Sequence, residues 1–272
     1  MATVGPPSGP GGHARPTAYG DGGGQGGQVR RWEELAVAED HQAWMARTRV
    51  NLSPMAAPSI MGLYGFLIAT AMLGAWQAGW YGTAATPLLI WPFAMVAGGV
   101  LQGIGAIASF RARDGVALAA HTAWGSFWIA WGIMQVLTAM HVMAPIALGS
   151  VNPAFAFWFI MLTATTGMAA AGAAAQNLGI FSVLLSLAAG SALTAAGFFT
   201  GSLVVTQVGG WLFVVSAALA LWASGAMILE NAYGRTIFPL GKWSAAANVP
   251  IKGQPTDPLA YRSGMPGVRI GQ

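Results

Sequence analysis

Cysteine is absent from this chain of 272 residues, which excludes disulfides, thiol chemistry and cysteine-bound metals. Charge is also scarce, because Asp, Glu, Lys and Arg together make up only 7% of the residues. Ordinary soluble domains contain about 25% charged residues. Apolar residues account for 55% of the chain. This composition is typical of helical proteins that cross a membrane several times.

The chain also lacks the residue patterns of enzymes and metal proteins. It has four histidines, and no two of them stand at the spacing of metal ligands. It contains no Ser–His–Asp set, nucleotide-binding loop or two-histidine metal motif. We therefore expect no catalytic activity, no cofactor and no metal. The net charge of +4 is spread over the tails and one loop, so no nucleic-acid partner is expected either.

What the chain does contain is one long apolar region, residues 58–229. Its only charged residues, Arg111, Arg113 and Asp114, stand together. A charge at the bilayer centre costs about 2.5–3.5 kcal/mol, so such a region is expected to cross the membrane. The fold class predicted is an all-α bundle of six transmembrane helices. The predicted helices are Ser59–Gln77, Leu88–Phe110, Val116–Ala139, Pro153–Ala173, Leu178–Thr200 and Val208–Leu229.

The basic residues predict how these helices are oriented. All twelve lie in the N-terminal tail, in the turn at residues 111–115 or in the C-terminal tail. The opposite connections, at residues 78–87, 141–152 and 201–207, contain none. Because Lys and Arg favour the cytoplasmic side, both termini are expected in the cytoplasm.

The composition divides the chain into four segments. Residues 1–29 hold ten glycines and four prolines, so we expect a disordered tail without a cleavable signal peptide. Residues 30–57 are expected to be cytoplasmic, either as a helix on the membrane surface or as a solvated linker helix. Residues 58–230 are expected to form the transmembrane domain, and residues 231–272 are expected to form a cytoplasmic tail.

The third predicted helix carries a stripe of large side chains. Its members step by three and four residues and therefore share one face: His121, Trp124, Trp128, Trp131 and Gln135. Such a stripe either lines a narrow pathway or fills the space between helices, and the sequence leaves both open. Because His121 can change its charge near neutral pH, it is a candidate proton relay. The alternative is a neutral, hydrogen-bonded histidine.

Four segments are similar to motifs of the acetate uptake transporter family. Residues 57–66 (APSIMGLYGF) resemble the NPAPLGL signature, and residues 98–102 (GGVLQ) resemble a GGxxQ stretch. Residues 122–128 (TAWGSFW) resemble a TSYGSFW segment, and residues 234–241 (GRTIFPLG) resemble GRTxLPxG. The four segments follow one another in the family order.

This resemblance implies a six-helix protomer in the cell (plasma) membrane, usually assembled into a hexamer. It also implies a path through each protomer for small monocarboxylates such as acetate, sometimes succinate, often coupled to protons. Carried over by motif position, the apolar constriction consists of Phe66, Trp124 and Leu187. The residues expected along the pathway are Pro58, Gly62, Leu63, Gln102, His121 and Trp128.

Some residues depart from the family pattern. Ala57 replaces the leading Asn of the signature, Ile60 replaces its second Pro, and Trp124 replaces a Tyr. Met227 stands where some members have a Glu. The added bulk is expected to narrow the path, and the lost polar groups are expected to change the substrate or the coupling.

Two other functions are compatible with the residues. One is a channel for a small neutral solute such as urea, a short amide or ammonia, since no Lys or Arg lies inside the spans to hold an anion. The other is a membrane scaffold that transports nothing and binds a partner through its long tails.

Overall fold

The computed structural model describes residues 57–112 and 114–242. In these ranges the chain forms six helices, with one interruption of the α-helical pattern in the second. They are α1 (Pro58–Gln77), α2 (Pro87–Ala112), α3 (Gly115–Ala139), α4 (Pro153–Ala173), α5 (Leu178–Thr200) and α6 (Leu203–Tyr233). The predictions for the two segments before Ala57 and for the tail after Lys242 lie outside the described residues.

Five of these helices, α1, α2, α4, α5 and α6, are long and apolar enough to cross a membrane. The helix α3 is not among them, although its 25 residues would span about 37 Å. Its mean hydropathy is lowered by His121, Gln135 and three tryptophans. Because those five side chains are buried, α3 keeps its more polar face inside the bundle.

Four helices begin at a side chain that caps their first turn. In each case a side-chain oxygen accepts a hydrogen bond from the backbone N–H three residues later, which satisfies a donor that the helix itself leaves unpaired. The capping residues are Asp114, Asn152, Asn177 and Ser202. At the other end, α5 and α6 stop at Gly201 and Gly234, whose φ angles are 68° and 63°.

The last helix is longer than the sequence predicts. It begins at Leu203 rather than Val208 and ends at Tyr233 rather than Leu229. The predicted connection at residues 201–207 is therefore wrong in length, because its last five residues belong to α6. Polar residues at both ends of α6 lower its local hydropathy, so an apolar window finds only its middle.

The helix α2 changes its hydrogen-bond register in the middle. Ala94–Leu101 forms a π-helix between two α-helical parts, just after Pro92, which lacks the N–H that an α-helix would use. This segment brings two glycines against α3. A Cβ atom at Gly98 would overlap Trp128, and one at Gly99 would overlap Ile129. Both glycines therefore serve packing within the bundle.

The segment after α6 folds back onto the end of the bundle. The backbone N–H of Gly179 donates to the Leu240 carbonyl at 2.9 Å, and Leu240 is buried. Trp222 on α6 stacks on Phe238, with 4.5 Å between the ring centroids. This part of the tail thus fixes the start of α5 against α6.

Candidate functional site

The three residues expected to form the constriction lie inside the bundle, on α1, α3 and α5. Phe66, Trp124 and Leu187 are 3%, 2% and 1% exposed and belong to one apolar cluster. The Phe66 and Trp124 rings meet edge to face, with centroids 6.2 Å apart. The Phe127 and Phe213 rings also form T-shaped contacts with the Trp124 ring, with centroids 5.4 and 6.0 Å away. The middle of the bundle is therefore closed by packed aromatic rings.

A cavity of about 240 Å³ lies on one side of these rings; we call it the inner cavity. Its walls come mainly from α1, α3 and α5, through residues that precede the constriction along each helix, such as Leu63, His121 and Leu184. Leu63 and Leu184 each stand about one turn before Phe66 and Leu187. The inner cavity also contains polar side chains. They are Ser59, Asp114, His121, Gln176 and Asn177.

Two smaller cavities lie on the other side of Phe66, Trp124 and Leu187. One of about 10 Å³ is lined by Thr70, Gly74 and Trp128, together with aromatic rings that include Trp124 itself; we call it the middle cavity. The other, of about 30 Å³, is lined by Gln77 and Gln135 among others; we call it the outer cavity. The three cavities thus follow one another along α1 and α3.

His121 is buried at the inner end of this series, with 4% of its surface exposed. Its Nδ1 lies 3.3 Å from Oε1 of Gln102. With Oε1 as the acceptor, Nδ1 carries the proton and Nε2 is free to accept one. The ring packs so closely on Gly62 that a Cβ atom there would overlap it. The structure therefore brings together three residues of the expected pathway, one from each of α1, α2 and α3.

The other expected pathway residues are placed differently. Leu63 lines the inner cavity, whereas Trp128 is 1% exposed and lies in the wall of the middle cavity. Pro58 is the first residue of α1 and is half-buried. It lines none of the three cavities, and its place on the pathway stays a prediction.

Asp114 also lines the inner cavity, although in the sequence it only marks a charged connection between two helices. Its carboxylate accepts the Ala117 N–H at 3.0 Å and the Ser59 hydroxyl at 3.4 Å. Asp114 and His121 line the same cavity. The spacing of Asp114 and His121 in the sequence indicates this proximity, because residues seven apart lie on the same side of a helix after about two turns.

Gln77 is a second residue whose role the sequence did not reveal. Its buried amide N–H₂ donates to the Thr194 hydroxyl at 2.9 Å and to the Thr206 carbonyl at 2.8 Å. These bonds join α1 to α5 and α6 beside the outer cavity. In the sequence Gln77 only marked the end of an apolar run, and nothing indicated which helices it would contact.

The amino-acid sequence of the chain is similar to sequences of a family of transporters. The model of the GPR1/FUN34/yaaH family matches residues 44–241. The chain is 24% identical over 194 residues to the succinate-acetate/proton symporter SatP of Escherichia coli K12, which covers 69% of this chain and 96% of SatP. It is 28% identical over 201 residues to an uncharacterized protein of Methanothermobacter thermautotrophicus, covering 72% of this chain and 96% of that protein.

A solved structure has the same fold. The structure of the bacterial acetate channel SatP superposes with a TM-score of 0.63 at 21% sequence identity, and it covers 69% of this chain and 100% of the solved chain. The matched regions contain the helices and the cavities described above. The chain therefore belongs to the GPR1/FUN34/yaaH family of acetate uptake transporters, which are multi-pass membrane proteins and not enzymes.

Proposed function

We propose that this protein carries small monocarboxylates, acetate first and succinate second, across the cell (plasma) membrane together with protons. The observation that carries the proposal is the series of cavities along α1 and α3 with an apolar constriction inside it. Phe66, Trp124 and Leu187 form the narrowest part of the path. Relatives named for acetate and succinate transport support the choice of substrate.

Charge explains why protons accompany the substrate. An isolated carboxylate is costly to move into an apolar passage. Among the described residues that line the three cavities, the only charged side chain is the carboxylate of Asp114. A negative charge at the entrance disfavours the anion and favours its neutral, protonated form. The acid therefore crosses the constriction with its proton.

The polar groups along the path have separate roles in this proposal. In the inner cavity, His121 receives or delivers the proton, and Gln102 fixes the orientation of its ring. Past the constriction, the Thr70 hydroxyl meets the carboxyl group of the passing acid. This hydroxyl is buried and has no hydrogen-bond partner among the described residues. The start of α1 near Gly62, whose Ser59 and Leu63 line the inner cavity, adds the positive end of its helix dipole there.

The constriction works as a gate that excludes water. Packed apolar rings leave no room for a hydrated ion, so ions are held back while the gate is closed. A small uncharged acid needs only a modest displacement of the Phe66 or Trp124 ring to pass. This gate accounts for transport without any fixed positive charge in the path.

The same proposal includes orientation and assembly. All six helices cross the membrane, and both termini lie in the cytoplasm. Basic residues are found at the helix ends on the side of the inner cavity. Arg111 lies in the last turn of α2, and Arg235 and Lys242 follow the end of α6. This placement agrees with the positive-inside rule. The protein forms a homo-oligomer, a hexamer as its family resemblance implies, surrounded by membrane lipid.

Reconstitution of the full chain into liposomes tests this function. We expect uptake of labelled acetate above the rate of protein-free liposomes, saturable with concentration and faster when the outside is more acidic. Uptake that is absent and indifferent to an imposed proton gradient would overturn the proposal.

A channel for a small neutral solute is the competing candidate, and the shortage of positive charge in the path favours it. Swelling of the same liposomes in urea and in acetate separates the two. Faster swelling in urea than in acetate would favour the neutral-solute channel. If neither solute passes, and deletion of residues 1–50 abolishes the cellular function, the protein is a scaffold.

A further inference from the structure

The gate is connected to a helix that contributes none of its three side chains. The indole N–H of Trp124 on α3 donates to the Thr166 hydroxyl on α4 at 3.0 Å. Each of these two residues is 2% exposed. A buried indole N–H needs a hydrogen-bond partner, and the Thr166 hydroxyl is the partner that the packed interior supplies.

Over part of their length, α3 and α4 leave a cavity of about 380 Å³ between them, lined by Phe127 and Trp131 of α3 and by Phe155 and Trp158 of α4. Beside this cavity the Phe127 and Phe159 rings meet across the two helices, with centroids 5.6 Å apart. Among the residues that the structure describes, the Trp124–Thr166 bond is the one hydrogen bond between side chains of the two helices. Movement of α4 relative to α3 therefore acts directly on the Trp124 ring.

The bond also fixes where the ring lies. An indole ring can rotate about two bonds, and its N–H points in one direction only for a given pair of rotamers. With the N–H on Thr166, the Trp124 ring lies in T-shaped arrangements with the Phe66 and Phe213 rings, with centroids 6.2 and 6.0 Å apart. A ring released from Thr166 is free to leave this position.

We propose that Thr166 is a positioning residue that holds Trp124 across the path in the closed conformation. Opening then requires either the loss of this bond or a movement of α4 together with the ring. Thr166 thereby influences which carboxylates pass, because a larger acid such as succinate needs a larger displacement of the ring. This inference rests on the proposed function and adds α4 to the gate.

Substitutions at Thr166 separate the hydroxyl from the volume of the side chain. Thr166→Val keeps the volume and removes the hydroxyl, whereas Thr166→Ser keeps the hydroxyl. One hydrogen bond corresponds to about a threefold to tenfold change in an equilibrium. We therefore expect Thr166→Val to raise the ratio of succinate to acetate uptake by about this factor, and Thr166→Ser to leave the ratio near that of the unmodified protein.

Thr165→Val is the matched control. Thr165 is the neighbouring residue on α4 and is exposed. Its hydroxyl donates only to backbone carbonyls of α4 itself, those of Met161 at 2.9 Å and Leu162 at 3.2 Å. Its loss should not change the ratio. A ratio that is the same in Thr166→Val and Thr165→Val would overturn the proposal.

A double-mutant cycle tests whether Thr166 acts through Trp124. Trp124→Phe removes the indole N–H and keeps an aromatic ring. In that background, Thr166→Val should cause no further change in the uptake ratio, because the bond is already lost. An equal effect of Thr166→Val with and without the indole would show that Thr166 acts on something else, and the inference would fail.

Indole NMR separates this inference from the proposed function. The ¹⁵N–¹H resonance that disappears in Trp124→Phe identifies the Trp124 indole. It should move upfield in Thr166→Val and stay in place in Thr166→Ser. If it moves while the unmodified protein transports nothing, the bond is real and the proposed function is wrong. If transport occurs and neither the resonance nor the ratio changes, the function stands and the role of Thr166 is wrong.

Discussion

The imidazole ring of His121 lies between Gln102, whose Oε1 is 3.3 Å from Nδ1, and the backbone of Gly62, which it contacts without room for a Cβ atom. Glycine is therefore required at position 62 by space, not by backbone conformation, since it sits inside α1. The absence of one methyl group on α1 allows a side chain of α3 to reach an amide of α2.

Gly62→Ala should displace the His121 ring and break its bond with Gln102. We expect the protein to lose about 1–3 kcal/mol of stability from overpacking, and acetate uptake to fall strongly. Gly103→Ala is the control, because a Cβ atom at Gly103 meets nothing within 4 Å. Thermal unfolding in detergent and uptake into liposomes measure both effects. Equal behaviour of the two variants would refute the role given to Gly62.

The charge of Asp114 can be separated from its capping role. Asp114→Asn keeps an oxygen that accepts the Ala117 N–H, and asparagine is as good an N-cap as aspartate. Asp114→Ala removes both functions and should cost about 0.5–2 kcal/mol. We expect both variants to lose part of the stimulation by an acidic exterior, and only the alanine variant to lose stability. Proton-gradient stimulation that is unchanged in both variants would exclude Asp114 from the coupling.

Much of the fold follows from the sequence, because a helix that spans a bilayer must be long and apolar. The predicted bounds of α4 and α5 agree with the structure, and those of α1, α2 and α3 agree to within a few residues. The π-helical part of α2 was missed. Its residues are as apolar as those around them, and apolar spacing does not reveal which carbonyl each N–H will use.

The site was less predictable than the fold. The periodicity of α3 correctly grouped His121, Trp124, Trp128, Trp131 and Gln135, and all five are buried. The sequence did not predict the partners of these residues on other helices, such as Thr166 for Trp124. Those partners depend on how far each helix slides and rotates against its neighbour. Small residues throughout the spans permit many such arrangements.

Thr70→Val should make the protein more stable and less active. The Thr70 hydroxyl is buried without a partner among the described residues, and an unpaired buried hydroxyl costs about 1–3 kcal/mol. Valine has nearly the same shape, so thermal unfolding should shift upward. Acetate uptake should fall, because the carboxyl group loses its contact in the middle cavity. Uptake equal to that of the unmodified protein would mean that Thr70 does not touch the substrate.

Gln77→Met should weaken the outer end of the bundle without changing substrate preference. Methionine has a similar length and cannot donate to Thr194 or Thr206. Hydrogen bonds between membrane helices contribute about 0.6 kcal/mol each on average and at most about 1.7. We therefore expect a loss of about 1–3 kcal/mol in unfolding measured in mixed micelles, with an unchanged ratio of succinate to acetate uptake. Gln207→Met is the control, because Gln207 is half-buried on α6 and its side chain makes no hydrogen bond among the described residues. An equal loss there would show that the effect is not due to the bonds of Gln77.

Leu187→Ala tests the constriction itself, because Leu187 is its one non-aromatic member and is 1% exposed. Removing a buried leucine side chain costs about 2–5 kcal/mol where the surroundings do not collapse. The same loss of volume should widen the path, so succinate uptake should rise relative to acetate uptake. Leu184→Ala is a matched control, since Leu184 stands one turn earlier on α5, is also buried and lines the inner cavity. It should cost similar stability without changing the ratio. If both variants change the ratio equally, the narrowest part of the path extends into the inner cavity; if neither does, Leu187 is packing and not part of the gate.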